Sequence, residues 1–210
     1  MIARTPVAPL RAGAKADPPL YYLRHGETDW NRQGRLQGSQ DIPLNDLGRK
    51  QAAALAQHLR DVAGAGLDAL PWIVSPMDRA QETARICRRT LGLAEHDFAT
   101  DTRLSEISFG QWEGLTWKEV RKTDPARAAL RVADKWGYVP PGGESYAMLL
   151  DRTKPVFEAL TTPAVVVAHG GIARTLLLDR TGMPPAEAAN VDIWQGRVLV
   201  FDAAGASWVP

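Results

Sequence analysis

Short apolar runs and longer segments of helical period take turns along the chain. Leu20-Tyr21-Tyr22, Trp72-Ile73-Val74, Val165-Val166-Val167-Ala168 and residues 197–201 have the length and composition of buried strands. Between them, Asn45 stands where an N-cap is expected, and Leu47, Leu55, Leu59 and Val62 fall on one face of a helix that ends near Gly64 and Gly66. Residues 77–91 predict a second helix, with Ala80, Ala84, Cys87 and Leu91 on its packed face. A short strand is expected at 98–100, and a helix over 115–132 that Pro125 interrupts. Residues 144–160 predict a helix kinked or divided at Pro155, and 172–179 a last one. Segments 31–43 and 136–143 read as loops because Gly and Pro punctuate them. This βα alternation predicts an α/β fold, without an internal repeat or a second domain.

Three of the apolar runs end alike. The first runs into Leu23-Arg24-His25-Gly26-Glu27-Thr28, the second into Ser75-Pro76-Met77-Asp78-Arg79-Ala80, and the third into His169-Gly170-Gly171. Successive side chains on a strand point to opposite faces, so Arg24 and His25 can serve one ligand only if the backbone turns there, which Gly26 permits. Ligands of open α/β sheets bind outside the carboxyl ends of the strands, where Arg24, His25, Arg79 and His169 would gather as a phosphate pocket. Arg79 lies in the first turn of its helix, against the helix dipole, and a bound anion would reconcile the two. Singly, each of these residues also has an ordinary structural reading as a surface ion-pair or core hydrogen-bonding group.

Composition narrows the possibilities. The 210 residues suffice for one domain with a full core, and 45% hydrophobic with 23% charged residues is usual for a globular chain. A net charge of +1 argues against general binding to nucleic acid or anionic membrane, so an anion site must be a local cluster of arginines. The single cysteine, Cys87, excludes an internal disulfide and suits a reducing, cytoplasmic compartment. No apolar stretch reaches the roughly 18–20 residues of a membrane span. Residues 1–19 are expected to be a flexible Ala/Pro-rich tail, with a transit-like address as the alternative, and 20–210 the domain. His58 is expected half-exposed on its helix and His96 solvated in a turn.

The motifs RHGETDWN, LQGSQDIPLNDLG, SPMDRAQETA, LSEISFGQWEG, PGGES and VVVAHGG resemble, in order and spacing, those of the histidine phosphatase superfamily, which includes the cofactor-dependent phosphoglycerate mutases. The resemblance covers residues 21–201. It implies a three-layer α/β/α sandwich with a mostly parallel central sheet. It also implies that His25 is the nucleophile, with its other ring nitrogen donating to a backbone carbonyl, and that Arg24, Arg79 and His169 surround the transferred phosphoryl group. Glu106 would be the acid and base. Asn31, Gln37, Gly38, Thr28 and Gly170 would touch the substrate.

The implied activity is that of a metal-independent phosphomonoesterase that hydrolyses a small phosphorylated metabolite through phosphohistidine and needs no cofactor. Its partners would be that substrate and a second copy of the chain in a homodimer, with neither nucleic acid nor membrane. A 2,3-bisphosphoglycerate-dependent mutase is the rival, and a non-catalytic phosphate-binding module the other. Ile107-Ser108-Phe109-Gly110-Gln111-Trp112-Glu113-Gly114 follows Glu106 without a cation until Lys118, and this resembles the phosphatases. A metal site is not expected, since four histidines show neither HxH nor HExxH spacing. Substrate choice is expected to depend on loops 112–117 and 136–145.

Overall fold

Residues 164–168, Ala-Val-Val-Val-Ala, carry no polar side chain, as a strand covered on both faces requires. In a computed structural model, which describes residues 4–10 and 17–209, this segment is an interior strand of a seven-stranded sheet, paired on both sides. In chain order the elements are β1 (Thr5–Ala8), β2 (Leu20–Arg24), α1 (Asp29–Arg32), α2 (Asp46–Ala63), β3 (Trp72–Val74), α3 (Asp78–Leu91), β4 (Ala99–Thr100), α4 (Trp117–Thr123), α5 (Pro125–Ala133), α6 (Tyr146–Glu158), β5 (Ala164–Ala168), α7 (Gly170–Thr181), α8 (Pro185–Ala188), β6 (Val198–Asp202) and β7 (Gly205–Val209). The sheet order is β1-β7-β6-β2-β5-β3-β4.

The sheet is mixed, which corrects the expectation of a mostly parallel one. Strands β2, β5, β3 and β4 run parallel, whereas β6, β7 and β1 add through antiparallel pairings. The reason is a hairpin: β6 turns directly into β7, and Asp202 Oδ1 accepts the Ala204 N–H in that turn at 2.9 Å. Strand β1 pairs with β7, so Thr5–Ala8 is sheet and not tail. An edge that would otherwise present unpaired amides is thereby covered. Asp17 forms an ion pair with Arg180, and residues 1–3 and 11–16 of the expected tail lie outside the described residues.

Side-chain alternation divides the core in two. Leu20 and Tyr22 face one side with Val166, Leu199 and Phe201, where Leu149, Phe157, Ile172 and Leu176 of α6 and α7 cover them. Tyr21 and Leu23 face the other with Val165, Val167 and Val200, under Leu55 and Leu59 of α2 and Ala80, Ala84 and Cys87 of α3. The result is a three-layer sandwich. Truncating Leu55 or Leu59 to alanine would cost about 2–5 kcal/mol. Leu47 is 50% exposed, so the face of α2 is carried instead by Gly48, Ala52, Leu55, Ala56 and Leu59.

The helix boundaries follow local chemistry. Asn45 caps α2, its Oδ1 accepting the Gly48 N–H at 2.9 Å, and Gly64 ends it. Pro125 stands at the start of α5, where its missing N–H costs nothing, and so separates α4 from α5. Helix α6, capped by Ser145, runs on past Pro155 and is not divided. His58 is half-buried and His96 exposed, as expected.

Candidate active site

Three neighbouring strands, β2, β5 and β3, end at one rim of the sheet, and the ladder continues just past each end. The His25 N–H donates to Ala168 O at 3.0 Å and the Ser75 N–H to Val167 O at 2.9 Å. Tyr22 Oη accepts the His169 N–H at 2.9 Å and donates to His169 O at 2.6 Å, so a side chain from the next strand holds both polar backbone groups of His169. The rings of His25 and His169 are thereby brought to 5.2 Å between centroids, tilted by 56°. Gly26 does not adopt a positive φ, and its freedom to turn is not what the site uses. A Cβ there would collide with the Gly48 carbonyl, so glycine permits the segment that carries His25 to lie against the start of α2.

His25 is buried, and burial first, then the cations of Arg24 and Arg79, hold its pKa well below the ordinary 6.5. The ring is therefore neutral at pH 7. Nδ1 lies 2.8 Å from Gly26 O, an acceptor only, which assigns the ring proton to Nδ1 and leaves Nε2 with a bare lone pair. His169 is likewise buried and neutral, its pKa lowered by burial first and then by Arg79, His25 and Arg24. Ser75 Oγ accepts the Met77 N–H at 3.3 Å and lies 2.7 Å from His169 Nε2. Directing the hydroxyl proton to Nε2 places the ring proton on Nδ1, which has no protein partner.

Two more donors are buried and unpartnered: Arg24 Nε and Arg79 Nε. Arg24 is tied by one amino group to Ile193 O at 2.7 Å. Burial first, then the nearby Arg174, bring its pKa down to about 10, so it stays a cation. Arg79 is fully buried and tied to Gln40 O at 2.6 Å and Gly38 O at 3.0 Å, with Asp41 at 3.3 Å. Asp41 also accepts the Asp78 N–H at 2.7 Å, doing at α3 what Met77, its N-cap, cannot. A cavity of about 150 Å³ is lined by Arg24, Arg35, Arg79 and Arg174 against one carboxylate, Glu106. Buried donors lacking partners in a cationic cavity are suited to the oxygens of a phosphate dianion.

Glu106 is held by α7. The Gly171 N–H donates to both its carboxylate oxygens, at 3.1 and 3.2 Å, and the Ile107 N–H to Oε1 at 2.9 Å. The loop that carries it is braced by Arg152, which forks onto Glu144 at 3.0 and 2.8 Å and reaches Ser105 O at 3.0 Å. Glu113 ties that loop to the Gln37–Gln40 side, accepting from Ser39 N and Oγ, Gln40 Nε2, Ser108 Oγ and Phe109 N. Burial raises the Glu113 pKa, but these hydrogen bonds outweigh it and the net shift is downward.

Eight of the ten site residues expected from sequence line the cavity: Arg24, His25, Asn31, Gln37, Gly38, Arg79, Glu106 and Gly170. His169 stands behind His25. Thr28 departs from its expected role: it is fully buried, caps α1 and does not line the cavity. Its N–H and hydroxyl each donate to Asn31 Oδ1 at 3.2 Å, and Gln195 Nε2 adds a third bond at 3.0 Å. With Oδ1 so occupied, the amide NH2 of Asn31 is the group left for a ligand. Arg35, Tyr146 and Arg174, which the motifs did not single out, also line the cavity. Trp136 and Tyr138 of the loop do not: Trp136 stacks on Tyr146 and Tyr138 on Trp112.

The family described as histidine phosphatase superfamily (branch 1) matches residues 20–210. A glucosyl-3-phosphoglycerate phosphatase of Mycolicibacterium vanbaalenii is 36% identical over 203 residues, 90% of this chain and 82% of that protein. A metal-independent phosphoserine phosphatase of Arabidopsis thaliana is 35% identical over 167 residues, 76% and 67% of the two chains. Among solved structures, a mycobacterial glucosyl-3-phosphoglycerate phosphatase in complex with VO3 superposes with a TM-score of 0.72 at 32% identity, covering 87% of this chain and 92% of that one.

Proposed function

The chain belongs to branch 1 of the histidine phosphatase superfamily, and from that membership we propose that it is a phosphomonoesterase that hydrolyses a small phosphorylated metabolite through phosphohistidine at His25. One observation carries the reading: a neutral histidine with its Nε2 bare, beside three buried donors without partners at Arg24, Arg79 and His169.

The chemistry follows from these positions. The His25 Nε2 lone pair attacks phosphorus, the P–O bond to the leaving alcohol breaks, and Glu106 in its protonated form supplies the proton that the alkoxide takes. The charge on the three remaining oxygens meets the guanidinium of Arg24, that of Arg79, and His169 Nδ1–H. Glu106, now a carboxylate, removes a proton from water as that water attacks phosphohistidine. The P–N bond breaks, its electrons return to Nε2, and inorganic phosphate leaves. Asn31, Gln37, Gly38 and the first amide of α7 at Gly170 complete the oxygen contacts. We further place the enzyme in a reducing, cytoplasmic compartment, a reading that the single buried thiol of Cys87 supports, and as a homodimer without nucleic-acid partners.

Enzyme incubated with 32P-labelled substrate and quenched in alkaline detergent, which preserves the acid-labile P–N bond, tests the nucleophile. Label should be retained on wild type and on Glu106→Gln, and be absent from His25→Ala. Label persisting on His25→Ala would assign the nucleophile elsewhere.

A further inference from the structure

Arg79 is held by two backbone carbonyls, Gly38 O and Gln40 O, which stand on either side of Ser39. Glu106 is carried by another loop, which runs on through Ser108 and Phe109. Glu113 does not line the cavity, yet it takes hold of both loops. Its Oε1 accepts the Ser39 N–H at 2.9 Å from one side, and the Ser108 hydroxyl and the Phe109 N–H, each at 3.0 Å, from the other. Its Oε2 accepts the Ser39 hydroxyl at 2.7 Å and the Gln40 amide at 3.2 Å. Gly38, at φ 54°, leaves the space that Oε1 fills, since a Cβ there would collide with it. The stems of the two loops are paired independently, by the Leu36 N–H to Leu115 O at 2.9 Å and the Gly114 N–H to Leu36 O at 2.8 Å. Among the described residues no other hydrogen bond joins the Gly38–Gln40 tip to the segment from Glu106 to Phe109, so Glu113 governs the tips beside the cavity and not the meeting of the loops.

We propose that Glu113 is a positioning residue, which sets the separation between Arg79 and Glu106 so that both can serve one phosphate ester at the same time. The inference rests on the phosphatase reading. A phosphoryl group seated on Arg79 presents its leaving oxygen to Glu106 only while the two walls keep their spacing, and a displacement of about 1 Å costs on the order of 10²-fold in rate. The Gly171 amide fixes the Glu106 carboxylate to α7, but it does nothing for the other wall. Five donors converge on the Glu113 carboxylate from both walls, and hydrogen bonds to an ionised acceptor are about twice as strong as neutral ones. Glu113 therefore acts through Arg79 and Glu106 and touches no reacting atom.

Two esters that differ in their need for an acid test this. Nitrophenolate leaves p-nitrophenyl phosphate without a proton, whereas the alkoxide of β-glycerol phosphate needs one from Glu106. In Glu113→Ala, kcat/KM should fall about tenfold on the first, as Arg79 shifts, and about 10²-fold or more on the second, where the acid is displaced as well. The inhibition constant of orthovanadate, which occupies the phosphoryl site, should rise about fivefold or more. A merely structural role would reduce the active fraction, lowering both rates by one factor and leaving the vanadate constant unmoved. Glu113→Gln keeps an oxygen for the three donors at Oε1 and should recover most of the substrate ratio and of the vanadate affinity. Glu113→Asp keeps the charge but is too short to span both loops, so it should repeat the alanine pattern and serves if the alanine variant does not fold. Unchanged activity, or equal losses on the two esters with an unchanged vanadate constant, in either variant overturns the inference. A wild type that hydrolyses neither ester overturns the phosphatase reading and the inference with it.

Discussion

Gly171 and Glu106 are fitted to each other: the amide of one donates to both carboxylate oxygens of the other, and a Cβ on Gly171 would collide with Glu106 Oε1. Because the second residue of α7 fixes the proposed acid–base group, Gly171→Ala should lower kcat by about 10²-fold, as though Glu106 itself had been altered. The melting temperature should fall only modestly, because the helix-favouring alanine partly offsets the pressure of the new Cβ on Ile107 and Leu149. A variant with wild-type kcat would show that Glu106 needs no such positioning.

Gln195 reaches across the sheet rim to His25 O at 3.2 Å and to Asn31 Oδ1 at 3.0 Å. We expect Gln195→Leu to reduce kcat/KM about 5–10-fold through loss of the Asn31 orientation, the size of one hydrogen bond. Gln195→Glu should be worse, because a carboxylate cannot donate to either oxygen. If the Glu variant retains more activity than the Leu variant, the amide is not a positioning donor.

His25 and His169 give stability a pH dependence of known sign. Both have folded-state pKa values well below 6.5, near which they titrate once unfolded, so the unfolded chain binds more protons in between. Their contribution is complete above about 6.5 and is lost as the pH falls toward the lowered folded values. The melting temperature should therefore decline between about pH 6.5 and 5, and less steeply in His169→Asn, where one titrating ring is gone. Parallel slopes for the two proteins would contradict this.

Turnover should survive exhaustive chelation at the full rate, because in the proposed mechanism the cations of Arg24 and Arg79, with the Nδ1–H of the neutral His169, meet the charge that a metal ion would otherwise offset. Among the described residues no group of three His, Cys, Asp or Glu side chains is placed to hold a metal ion. Activity lost to chelator and restored by one metal would reverse the assignment.

Much of the site was legible because its residues sit where an apolar run stops. Arg24-His25, Ser75 with Arg79, and His169-Gly170-Gly171 each mark a strand end, and strand ends of an α/β sheet converge whatever lies between them. Arg174, Tyr146 and Gln195 had no such mark. Arg174 occupies a mid-helix position ordinary for an arginine, and Gln195 reaches its partners only through tertiary packing, from 170 and 164 residues away. Strand β7, Gly-Ala-Ser-Trp-Val, lacks a β-branched run, and Thr5–Ala8 becomes a strand only because β7 is beside it. The tilt of Thr28 toward a structural role has a similar origin: its resemblance to a substrate contact reflects the Asn31 that it caps.

The pairing of Leu20–Arg24 with both Phe201–Val198 and Ala164–Ala168 makes this strand the vernier of the enzyme. Sliding it by one residue would invert every side chain, carrying Tyr22 away from His169 and exchanging the two halves of the core. An added residue between Leu20 and Arg24 should therefore abolish turnover and destabilise the fold together. The same insertion between Ala94 and Asp97, a surface turn that no part of the cavity touches, should leave both nearly intact. Phosphoryl transfer in this protein is thus an assay of sheet alignment, with the rate of phosphate release as its gauge.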